Sequence, residues 1–248
     1  LINGVLRPYI QQANPLCSNQ LDTNENEGNS VNAIGFAEVR FLKDFKFTST
    51  NSVSSEETRS TITTNPWFGQ YASQNGAITV EHDRTWSYNY QQLLTWHHQF
   101  DLHEVDAMLG HEYYRRRNYV LYGDKTNMYT FPSNDMASAV NTGSTNSYRN
   151  DYNTEGWFGR VQYNYDQKYF ASMSYRRDAS SRFAPENRWG NFWSFGGAWM
   201  ISKEKFFNVS WIDELKIKAS YGEQGNDNIQ DQYGFDQFLY ENTFDIKS

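Results

Sequence analysis

"NTEGWFGRVQYNYDQKYFASMSYRRD", residues 153–178, sets the fold class. Trp157, Val161, Tyr163 and Tyr165 fall on odd positions, while Arg160, Gln162 and Asn164 fall between them. That period of two is the signature of a strand with one dry face and one wet face. Asp166-Gln167 turns the chain, and Tyr169, Ala171, Met173 and Tyr175 then oppose Ser172, Ser174 and Arg176. Two alternating runs across a two-residue turn predict a β-hairpin.

The pattern recurs outward from there. Residues 32–42 lead through Lys43-Asp44 into 45–53, and 86–98 pass near Asp101 into 103–113. Residues 190–201 group Trp193, Phe195, Trp199 and Ile201, and 214–222 alternate Leu215, Ile217, Ala219 and Tyr221 with lysines and Ser220. About eight strands are expected, with a possible helical turn only at 203–208. The short turns alternate with long polar segments at about 54–78, 120–151 and 178–189, which are read as loops. Short turns on one rim and long loops on the other suit an outer-membrane barrel, and so does the strand length. A soluble antiparallel sandwich or propeller has the same period, and both architectures remain open on these features.

Composition narrows the classes. The chain has 248 residues, with 22 basic against 29 acidic side chains and a net charge of -7, which argues against a nucleic-acid partner. The mean hydropathy is -0.83, and no run of about 18 apolar residues offers a membrane helix. A barrel needs apolar residues only at alternate positions, so low hydropathy does not exclude one. Aromatic residues make up 17%, and tyrosine and tryptophan gather where one end of a ring must be dry and the other wet. Lone Cys17 forbids an internal disulfide. No signal peptide is visible at Leu1, so the expectation is a leader already removed or a start inside a longer protein.

The candidate chemistry is sparse. His97 and His98 point to opposite faces of a strand, and His103 and His111 lie eight residues apart, so no metal site is expected. Glu104 and Asp106 share a face and are a candidate acid pair for glycoside hydrolysis, but such pairs also line hydrated lumens. Gly222 and Gly225 follow a strand with no helix pattern after them, which favours a loop over a phosphate cradle. Asn208-Val209-Ser210 fits a glycosylation sequon, a frequent chance match. No nucleophile elbow is found, and no cofactor or enzymatic activity is expected. Trp67, Phe68, Tyr71, Tyr129 and Phe131 lie in the long loops among Asn, Gln and Thr. Trp67, Tyr71, Tyr129 and Phe131 are the candidate substrate-binding residues, as stacking surfaces for sugars or peptides. A soluble glycan-binding module using Trp67 and Tyr129 is the alternative.

One longer motif is more specific. "YRRDASSRFAPENRWGNF", 175–192, followed by "WIDELKIKASYGEQGNDNI", 211–229, resembles the barrel of SusC/RagA-type TonB-dependent outer-membrane transporters. Arg176, Arg177, Asp178, Ser180, Ser181, Arg182, Phe183, Pro185, Asn187, Arg188, Trp189 and Gly190 fall on the family pattern, as do Gly222, Gly225 and Asn226. Ala179 and Ala184 stand where glycines are usual, and Trp193 where proline is. "GNSVNAIGFAEVRFLKDFKFTSTNSV", 28–53, looks like an earlier hairpin of the same family, and loops 55–78 and 120–150 resemble it least.

The resemblance implies an all-β transmembrane barrel of about 22 strands with an N-terminal plug. It implies import of glycans or oligopeptides, energy from the TonB complex, and a SusD-like surface lipoprotein over the loops. Residues 1–248 are then expected to be part of one barrel domain in the Gram-negative outer membrane, a fragment without the plug. The motif residues are expected to brace an outer-rim loop rather than to act on a substrate.

Overall fold

The computed structural model describes residues 19–228. Eight strands follow one another: β1 Thr23–Phe41, β2 Phe45–Thr64, β3 Ala77–Phe100, β4 His103–Met128, β5 Ala139–Tyr165, β6 Tyr169–Ser180, β7 Trp189–Met200 and β8 Lys216–Gly222. They form one sheet in the order β1-β2-β3-β4-β5-β6-β7-β8, with each strand beside its sequence neighbour. The fold class is therefore all-β, an up-and-down antiparallel meander of the kind that makes a barrel wall. No helix among the described residues is long and apolar enough to cross a membrane.

The three short turns fall where the sequence places them. Leu42 and Lys43, Asp101, and Asp166 and Gln167 all have positive φ between 48° and 63°. Asp166-Gln167 has both central residues in that region, as a two-residue turn matched to the strand twist requires. The long segments are shorter as loops than expected. β2 runs on to Thr64, β4 runs to Met128, and β5 begins at Ala139, which leaves loops of 65–76 and 129–138. "SSEETRSTITT", 54–64, is strand with polar residues on both faces, so it carries no alternation to read. The 203–208 turn begins instead as a 3-10 turn at Ile201–Lys203, which also takes Ile201 out of β7.

Chain packing divides the molecule into two units. The first is built on Ser54–Trp86 and Arg117–Asp151. Its small core is Ile78, Met128 and Ala139, with Val80, Phe131 and Met136 against it. Gly76 closes that core at φ +80°, where an added Cβ would lie 2.9 Å from the Thr64 carbonyl oxygen. Its N–H donates to Tyr71 O at 2.9 Å, so the backbone has no room to relax. Gly76→Ala is expected to destabilise this unit by roughly 2–4 kcal/mol, the left-handed penalty plus overpacking. Gly69, also at positive φ but in open space, is the control: Gly69→Ala should cost only the conformational part. Limited proteolysis of 65–76 in the two variants measures the difference.

The second unit is built on Ala33–Val53, Ser87–Arg116 and the chain from Tyr152 onward. Here the alternation becomes register. Val161 pairs with Met173, Met173 with Phe195, and Phe195 with Tyr221, so one face of four strands is apolar. Gln162 pairs with Ser172, Ser172 with Gly196, and Gly196 with Ser220 on the other face.

Candidate functional site

The apolar face of the second unit is bounded by aromatic rings on two sides. On the short-turn side a chain of rings runs Phe41, Phe45, Trp96, His98, Phe100, His103, Tyr165, Tyr169, Trp199 and Phe206. Each centroid lies 4.9–6.5 Å from the next. On the other side stand Tyr88, Tyr90, His111 and Trp157, with His111 and Trp157 4.2 Å apart, and Tyr175 4.3 Å from Trp193. Between these rows Leu109, Val161, Met173, Phe195 and Ile217 are exposed. The rows are eight residues apart in β4 (His103 to His111) and in β5 (Tyr165 to Trp157). Eight extended residues span about 27 Å, or about 20 Å along the normal at a tilt near 40°. Outer-membrane barrels carry an apolar band of about 25 Å between two aromatic girdles on their outer surface, and this face has the same pattern. The opposite face carries Arg160, Gln162, Ser174 and Ser194, with the two serine hydroxyls 2.6 Å apart, and suits a hydrated lumen.

The motif loop lies beyond the second ring row and is tied together by Asp227. The Tyr152 and Ser180 hydroxyls both donate to Asp227 Oδ2, at 2.6 and 2.8 Å. Arg182 Nη1 donates to the Asp227 carbonyl at 3.0 Å, and its guanidinium lies 4.4 Å over the Tyr152 ring. Ser181 bridges to β5 twice: its N–H donates to Asn153 O at 2.9 Å, and its Oγ accepts from Asn153 N at 3.0 Å. Arg188 Nε donates to Phe183 O at 3.1 Å, Pro185 opens a 3-10 turn that ends at Asn187, and Arg177 stacks 4.9 Å over Trp189. Asp178 accepts from Arg176 Nε at 2.7 Å, and Arg176 also reaches Glu112 at 3.3 Å. Phe192 lies where a Cβ on Gly190 or Gly225 would be, 2.7 and 2.3 Å away. Gly222 ends β8. Of these residues Tyr152, Ser180, Arg188, Trp189 and Asp227 line a cleft of about 480 Å³, together with Asn187 and Asn226.

Burial raises the Tyr152 hydroxyl to about 12, and its hydrogen bond to Asp227 adds to the shift. Burial alone would raise Asp227, but the bonds from Tyr152 and Ser180 and the nearby Arg182 charge hold it below the usual aspartate value. Within the loop the Arg182 guanidinium, 3.8 Å from Asp227 Oδ1, offsets the carboxylate's charge.

Each histidine has its own partner: His82 with Glu57 at 2.7 Å, His97 with Asp106 and His98 with Asp44 at 2.8 Å each, His103 with the Tyr163 hydroxyl at 2.6 Å, and His111 with Glu155 at 3.1 Å. The pairing of β3 with β4 brings His97 to Glu104 and Asp106, with ligand-type atoms within 4.8 Å of one another. Sequence reasoning paired the two acids but missed His97, because strand register is not visible in spacing. Glu104 is engaged by the side-chain amides of Asn164 and Gln167, at 2.8 and 3.1 Å.

The loop aromatics belong to the first unit. Trp67 is 65% exposed and meets Phe131 edge-on at 5.2 Å. Buried Asn65 holds the turn beneath it, accepting from Trp67 N and Phe68 N at 3.0 and 2.8 Å. Tyr129 is 69% exposed with its hydroxyl on Ala137 O at 2.6 Å, while half-buried Tyr71 supplies the carbonyl that receives Gly76 N. Thus Trp67 and Phe131 come together, whereas Tyr129 and Tyr71 serve separate turns.

No protein-family model matches the chain. It is 29% identical over 231 residues to the TonB-dependent receptor SusC of Bacteroides thetaiotaomicron, an overlap of 90% of this chain and 22% of that protein. It is 28% identical over 219 residues to TonB-dependent receptor P3 of Formosa agariphila, covering 87% of this chain and 22% of the relative. Among solved structures, the RagAB peptide importer in its open-open state has a TM-score of 0.80 at 24% identity, covering 92% of this chain and 26% of that one. The RagAB peptide transporter gives 0.76 at 23% identity, over 82% of this chain and 23% of that one. The chain thus spans about a fifth of the length of the curated relatives it matches. The resemblance to SusC/RagA-type TonB-dependent outer-membrane transporters is borne out along most of the chain, and the fold is that of part of such a barrel.

Proposed function

We propose that residues 1–248 are part of the barrel domain of a TonB-dependent outer-membrane importer. The observation that carries this reading is the apolar band of the second unit, closed by aromatic rings on both sides and backed by a polar face. In this reading lipid meets Val161, Met173 and Phe195, and the lumen meets Arg160, Gln162 and Arg176. The whole importer takes up glycans or oligopeptides, draws energy from the TonB complex, and works with a SusD-like surface lipoprotein. The motif loop braces the outer rim and has no catalytic part.

Fractionation and uptake test the reading. The full-length protein should be found in the outer membrane, show heat-modifiable migration, and support TonB-dependent uptake of a labelled glycan or oligopeptide. Cytosolic or periplasmic recovery of a detergent-free monomer would overturn it. Trp67 is the exposed member of its ring pair, so Trp67→Ala should leave assembly unchanged. Loss of one stacking surface is expected to weaken substrate binding about tenfold, read by titration of the purified importer.

A further inference from the structure

We propose that Arg84, Arg117 and Arg149 form a docking surface for the phosphorylated headgroup of an outer-leaflet glycolipid. The inference rests on the barrel reading above. All three belong to the first unit, in a chain whose net charge is -7. Arg84 lies 5.1 Å over the Trp86 ring, and Arg117 lies 6.0 Å over Tyr119. Arg117 also forks onto Asp151 at 2.7 and 3.1 Å, and Arg149 stands 3.5 Å from the same carboxylate. Two guanidinium groups, those of Arg117 and Arg149, thus meet at Asp151, and Arg84 has no ion pair among the described residues.

The face they occupy follows from strand alternation. Asn118 of β4 donates to Asp83 and Thr85 of β3, at 2.6 and 3.0 Å, on one side of the sheet. Their sequence neighbours Arg84, Trp86, Arg117 and Tyr119 are therefore on the other side. Trp86, Tyr119 and Leu121 are exposed there beside the arginines. Apolar rings with cations just beyond them match a surface whose acyl chains give way to anionic headgroups. A guanidinium stacked on a ring keeps its in-plane N–H donors for a phosphate, which it binds in a fork. The charge and the exposed apolar side chains beside it together select a lipid phosphate over a soluble anion.

The test uses the full-length protein in phosphatidylcholine nanodiscs, with lipopolysaccharide or its dephosphorylated form as the probe. The variant is Arg84→Gln with Arg149→Gln, since Arg117 is left to balance Asp151. Retained glycolipid is counted by native mass spectrometry. The phosphorylated form should bind the wild type at least tenfold more tightly than the variant, and the dephosphorylated form should bind both equally weakly. Arg84→Lys with Arg149→Lys should restore part of the binding, which separates lost charge from lost structure. Equal binding by wild type and the glutamine variant overturns the proposal, as does binding that ignores the phosphate. If the protein is recovered from the outer membrane yet binds this way, only the headgroup site fails. If the wild type is absent from that membrane, the barrel reading fails with it.

Discussion

Val161→Arg is expected to prevent most of the protein from assembling in the outer membrane. Val161 is four residues from Tyr165 and four from Trp157, midway between the two ring rows, and 49% exposed. Its neighbour across the ladder is Met173, with Phe195 beyond it, so no acid lies on that row of the face to receive a guanidinium. Four residues of strand rise only about 10 Å at the expected tilt, so the arginine must reach past the rings to water. The cost near the midplane of a barrel is about 2–4 kcal/mol. Gln162→Arg is the matched control. Gln162 faces the other way, opposite Ser172, where a hydrated lumen makes a surface charge worth within about 0.5 kcal/mol of neutral. Heat-modifiable migration and urea unfolding in vesicles read both variants. If Val161→Arg assembles as well as Gln162→Arg, the band does not meet lipid.

This pair also shows what sequence can reveal and what it cannot. Along 157–175 the two faces meet different solvents, so the alternation wrote the strand, the turn at Asp166-Gln167 and the facing of each side chain into the sequence. From Ser54 to Thr64 no such contrast exists, and a regular strand looked like a polar loop. The hydrogen-bond ladder does not need a dry face, so β2 continues where the pattern stops. Pairings set by register were equally hidden, as with His97 beside Asp106. The motif marked its own loop but not what holds it. Asp227 lies 75 residues from Tyr152 and 47 from Ser180, and its role appears only when β5, β6 and the segment after β8 meet.

Asp227→Ala is therefore the second variant with a large expected effect. The Tyr152 hydroxyl and the buried Ser180 hydroxyl share one carboxylate oxygen, and both would lose their acceptor. A buried donor left unsatisfied costs about 1–3 kcal/mol, so the rim should loosen by roughly 2–5 kcal/mol in all. Arg182 keeps its bond to the Asp227 carbonyl and its stacking on Tyr152, which makes the loss local. Hydrogen exchange at the Ser180 and Ser181 amides, which bond across the loop, should accelerate accordingly. Asp227→Asn keeps an acceptor oxygen and should cost less than half as much. The pH dependence separates the two hydroxyl partners further. Asp227 is held below its ordinary value near 3.9, so its contribution is full above that value and is lost as pH falls through the lower folded one. Tyr152 is raised to about 12, so its contribution is full below the ordinary value near 10 and is lost as pH climbs from there toward 12. Wild type should thus show an acid edge that Asp227→Ala lacks and an alkaline edge that Tyr152→Phe lacks. If both variants keep both edges, the Asp227 carboxylate does not hold the loop, and the motif is braced by its other contacts, Ser181 with Asn153 and Arg188 with Phe183 among them.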